Sequence, residues 1–126
     1  MGHRRVVITG LGAVTPVGNS AEATWQSLVS GQSGVSGITR FDASDLRTRI
    51  AAEVKDFDPV ALFGAREARR MDRFTQFALA AALEALDDSG LTINESNAAR
   101  VGAIIGSGIG GVGTLIEEAY KAVEKG

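Results

Sequence analysis

Arg5-Val6-Val7-Ile8-Thr9, running directly into Gly10-Leu11-Gly12, sets the fold class of this 126-residue chain. The apolar residues are continuous rather than alternating. That is the pattern of a strand covered on both faces, as in a parallel sheet packed between helices. A strand over 5–9 is therefore expected, followed by a turn-rich loop over 10–18. Asn19 with Glu22 three residues on resembles a capping box, so a helix should follow, with Trp25, Leu28 and Val29 on one face and Gly31 at its end. Short strands are expected at 35–38 and 49–54, and Asp58-Pro59 should start a short helix. Over 66–89 the spacing predicts one long helix, with Met71, Phe74, Ala78, Ala82 and Ala85 on one face and Gly90 closing it. Its Ala-rich middle is apolar nearly all round, which asks for burial. The buried-strand pattern returns at 101–105, a glycine turn follows at 106–111, and Val112–Lys125 reads as an amphipathic helix. This order gives an α/β class with helices over a mainly parallel sheet, and no linker divides it.

Composition narrows the function. Hydrophobic residues make up 44% and charged residues 22%, the balance of a soluble globular protein. A net charge of -2 gives no general reason to bind nucleic acid or an anionic membrane. With no cysteine, disulfides, cysteine-ligated zinc and a catalytic thiol are excluded within this chain. The single histidine, His3, reads as an exposed terminal side chain. Met1-Gly2 invites an N-myristoylation reading, but Val6 stands where that signal needs Ser or Thr. No apolar stretch approaches the ~18 residues of a membrane span, and a cytoplasmic location is the default.

Three constellations could carry chemistry. Gly106-Ser107-Gly108-Ile109-Gly110-Gly111 fits GxGxxG between a strand and a helix, so a nucleotide-dependent oxidoreductase is a competing reading. A dinucleotide turn normally opens its domain, however, and this one lies a hundred residues in. Close backbone packing explains the glycines as well. Ser107 lacks the esterase elbow, because Ile105 rather than Gly lies two residues before it, and no histidine is placed to act as its base. Finally, Arg66, Arg69, Arg70 and Arg73 span roughly a 100° sector of the expected long helix, by helical periodicity. Such a stripe is either a solvated face or a dock for an acidic partner or phosphate.

The ordered series of motifs is more specific than any one of them. Arg4-Arg5-Val6-Val7-Ile8-Thr9-Gly10-Leu11-Gly12, Thr15-Pro16-Val17-Gly18-Asn19, Gly31-Gln32-Ser33-Gly34, Phe41-Asp42 and Val54-Lys55-Asp56-Phe57 resemble the β-ketoacyl-[acyl carrier protein] synthases. So do Arg69-Arg70-Met71-Asp72, Asp88-Ser89-Gly90-Leu91 and the run from Ile105 to Gly111, and Ile109 is similar to the synthase II type.

The resemblance implies that residues 1–126 are the N-terminal portion of a β-ketoacyl synthase domain, an incomplete part of a thiolase-like αβαβα layered fold. It implies a condensing acyltransferase of fatty-acid elongation, working on acyl and malonyl thioesters through acyl carrier protein, as a homodimer, without a cofactor or metal. The family's catalytic cysteine and two histidines are expected beyond this chain, which is then inactive alone. By position, Arg66, Arg69 and Arg70 match the residues that dock acyl carrier protein, while Ile109 and Val112 match residues lining the acyl pocket. A non-catalytic chain-length-factor-like partner of a synthase remains an alternative.

Overall fold

The computed structural model describes residues 3–126, so Met1-Gly2 and the lipidation reading weighed there lie outside the described residues. Two units form: the residues up to 57 with Ala80–Leu91, and Asp58–Leu79 with Thr92–Gly126.

In the first unit, helix α1 spans Ala21–Val29. Its cap is Ser20, one residue later than expected: Ser20 Oγ accepts from the Ala23 amide at 3.1 Å. Asn19 instead donates its side-chain amide to the Lys55 carbonyl at 2.9 Å. Gly31, at φ 71°, ends the helix as expected. Its amide donates to Leu28 and that of Gln32 to Ser27, the paired bonds of a Schellman closure that need a left-handed residue. Strands β1 (Val35–Gly37) and β2 (Ile50–Ala52) pair antiparallel with Ser36 opposite Ala51, both within the expected segments. Past β1, Glu53 accepts from the Thr39 hydroxyl at 2.7 Å and from the Thr39 and Arg40 amides. The hydroxyl bond is the main reason its carboxyl is held below the usual glutamate range. Ala43 and Phe57 are the buried apolar side chains of this unit among the described residues.

In the second unit, helix α2 spans Pro59–Ala68. Asp58 caps it as the sequence suggested, accepting from the Val60 and Ala61 amides at 2.9 and 3.0 Å, with Pro59 in the first turn where its missing N–H costs nothing. Helix α3 spans Arg73–Asp88 and contributes to both units. Helix α4 spans Val112–Lys125, with the bounds read from the sequence.

Three expectations need correction. The single helix over 66–89 is two, α2 and α3, broken by a turn at 69–72. The Ala-rich middle of α3 is only partly covered, and the side chain it buries is Gln76. Neither 5–9 nor 101–105 forms a strand, and the sheet present among the described residues is antiparallel rather than parallel. Val6 and Ile8 are 93% and 82% exposed and Ile104 fully so. A continuous apolar run becomes a buried strand only where neighbouring strands complete its ladder and layers cover both faces. Nothing among the described residues supplies them.

Candidate functional site

The glycines of the N-terminal loop serve packing. A Cβ on Gly10 would stand 2.6 Å from the Ser89 amide, and one on Gly12 2.7 Å from the Ala85 amide, so this loop lies directly on the α3 backbone. Carboxylates on α3 complete the join. Glu84 accepts from the Ala13 and Ala21 amides at 2.8 Å each, and Asp88 accepts from the Leu11 amide at 2.8 Å. The residues sit four apart, on one face of the helix.

The second glycine turn behaves differently. Gly106 and Gly108 face open space, whereas a Cβ on Gly111 would stand 2.7 Å from the Asp72 carboxyl carbon. Thr114 donates its hydroxyl to that same carboxylate. Gly111 is the cap of α4, so Asp72 sets a negative charge at the positive end of this helix. A dinucleotide would have to bring its pyrophosphate there. Like charges repel, so the geometry disfavours the oxidoreductase reading. Ile109, between these glycines, is 85% exposed, and Val112 at the start of α4 is 39% exposed. No described group of three or more His, Cys, Asp or Glu could hold a metal ion. No helix is long and apolar enough to cross a membrane among the described residues.

The break between α2 and α3 redistributes the basic stripe. Arg66 lies on α2, Arg69 and Arg70 in the turn, and all three are exposed. Arg73 opens α3, is half-buried, and sets its guanidinium 4.8 Å over the ring of Phe77, a cation–π placement that separates it from the others. Glu67 lies 3.9 Å from Arg66 Nε and 3.8 Å from Arg70 Nη1. Both contacts are long and solvated, so they hold the arginines weakly, and one carboxylate among three guanidinium groups leaves the local charge positive.

The sequence reading did not single out Gln76, whose buried amide donates to the carbonyls of Ala68 at 2.8 Å and Met71 at 3.1 Å. The available signal was Asp72, a residue type that opens helices, standing just before the apolar face that starts at Phe74.

Comparison with known proteins places the chain. The family profile described as "Beta-ketoacyl synthase, N-terminal domain" matches residues 3–125. The chain is 54% identical to 3-oxoacyl-[acyl-carrier-protein] synthase 2 of Vibrio harveyi over 100% of its own length, and 56% identical to that of Coxiella burnetii over 98%. It spans 30% of the length of each of these relatives. A solved structure described as "The ishigamide ketosynthase/chain length factor" superposes with a TM-score of 0.65 at 41% identity, covering 72% of this chain and 23% of that one. By sequence profile, by close relatives and by structural likeness, the chain belongs to the β-ketoacyl synthase family, over its N-terminal domain.

Proposed function

We propose that this chain is the N-terminal part of a condensing acyltransferase of fatty-acid elongation, an incomplete portion of a thiolase-like αβαβα domain that works as a cytoplasmic homodimer. Support comes from relatives named as 3-oxoacyl-[acyl-carrier-protein] synthases 2, at 54% and 56% identity across the chain. The structural observation that carries the reading is the set of guanidinium groups exposed at Arg66, Arg69 and Arg70, a surface suited to an acidic carrier protein.

In this reading a cysteine outside the chain, which itself holds none, attacks the carbonyl of a carrier-bound acyl thioester and releases the carrier thiol. Malonyl-carrier then loses CO2, and the carbon nucleophile left behind attacks the acyl-enzyme, expelling the cysteine thiolate and giving a β-ketoacyl-carrier two carbons longer. Two histidines, also outside the chain, stabilise charge on the thioester oxygen. The chain's own part is recognition. Arg66, Arg69 and Arg70 dock the carrier, and Ile109 with Val112 lines the pocket for the hydrocarbon tail, where apolar side chains suit an acyl chain.

The test is condensation by the complete protein: acyl-carrier and malonyl-carrier should give CO2 and a product two carbons longer. Absence of condensation, with saturable micromolar NAD(H) or NADP(H) binding, would overturn the reading. A chain-length-factor-like partner remains a second reading, favoured by the description of the superposed solved structure. It predicts condensation only when a separate synthase is added.

A further inference from the structure

Gln76 lies in the first turns of α3 and is 7% exposed, which is unusual for a side chain with both a donor and an acceptor. Its Nε2 donates to the carbonyl of Ala68, the last residue of α2, and to that of Met71. One amide group thus bonds the residue that enters the turn at 69–72 and a residue within it. Ala68 beside it is also buried, at 6% exposure. Packing alone would be met more cheaply by an apolar side chain, since a buried amide is tolerated only when paired. What the amide adds is a single conformation for a turn whose carbonyls would otherwise turn to water.

Two of the three exposed docking arginines, Arg69 and Arg70, sit on this turn. We infer that Gln76 is a positioning residue: its buried amide fixes the turn so that Arg69 and Arg70 meet an acidic protein partner already oriented. This rests on the docking reading above. A turn ordered in advance avoids the entropy that ordering it at the moment of association would cost. Asp72 ties the far end of the same turn, through Thr114, to the start of α4.

The test is a comparison within the complete protein. Gln76→Met keeps side-chain length and removes the donor. Titration with acyl carrier protein at low salt should show Kd raised about fivefold, the scale of one exposed charge interaction. On a background of Arg69→Ala with Arg70→Ala, Gln76→Met should add nothing further, because the groups it orients are gone. Equal losses in both backgrounds would make Gln76 a general stability element and overturn the inference. Where Gln76→Met does not fold, Gln76→Asn is compared in the same way, being one methylene too short to hold both carbonyls. If the arginine pair weakens binding and Gln76→Met does not, the inference fails alone. If the arginine pair leaves Kd unchanged, the docking reading fails and takes the inference with it.

Discussion

Glu67 stands among the three arginines, its carboxylate 3.8 to 3.9 Å from two of them. Exposed ion pairs of such length contribute little to stability. Their consequence is competition, because an acidic partner must displace or outweigh the resident negative charge. Glu67→Gln removes that charge with little change in shape. Carrier affinity of the complete protein should rise about two- to fivefold at low salt and return to the parent value at high salt, where screening removes the difference. A binding titration across ionic strength measures it; weaker binding at low salt would contradict the role given to Glu67. Arg73 illustrates the opposite outcome at the same scale. It shares the helical spacing of the other arginines, yet its guanidinium is engaged by the Phe77 ring.

Among the elements, α3 carries the most structure. Gly10 and Gly12 let the N-terminal loop lie on its backbone, and Glu84 joins that loop to the start of α1 by accepting from Ala13 and Ala21. Glu84→Ala leaves both amides without their acceptor and should cost about 2–3 kcal/mol, the scale of hydrogen bonds to an ionised group. Glu84→Gln, which keeps one acceptor oxygen, should fall between. Chemical denaturation of the complete protein checks the order, and a Glu84→Ala protein as stable as the parent would refute it. Elements with local signals were legible in sequence. The Asp58-Pro59 start of α2, the Gly31 end of α1, the bounds of α4 and the two short strands all follow from cap, turn and periodicity rules. What was not legible depends on groups distant in sequence or outside the chain. The break at 69–72 depends on a glutamine reaching back to Ala68, and the runs at 5–9 and 101–105 need neighbouring strands. The proposed site is read mainly from family resemblance, since charge spacing alone put four arginines on one helix that the structure divides.

For the molecule as a whole, surface area is the informative quantity. The accessible surface is 10286 Å² for 13.1 kDa. A folded monomer of that mass exposes about 6,400 Å², and two independent units of half the mass about 7,700 Å² together. Much of the surplus is apolar, including Val6, Ile8, Ile104 and the α4 side chains Leu115, Tyr120 and Val123. Apolar surface of this extent calls for cover. The proposed larger domain supplies it, and the two unpaired apolar runs are where strands of a layered sheet would add. On this view the chain offers one functional surface complete in itself, the basic turn, while its apolar faces await the remainder of the fold.

Reversing the charge of that turn in the complete protein tests the account most directly. With Arg66→Glu, Arg69→Glu and Arg70→Glu combined, kcat/KM for acyl-carrier should fall at least about tenfold further than kcat/KM for the same acyl group on pantetheine, and high salt should reproduce part of the loss in the parent. Equal losses on both substrates, or none on either, would contradict it.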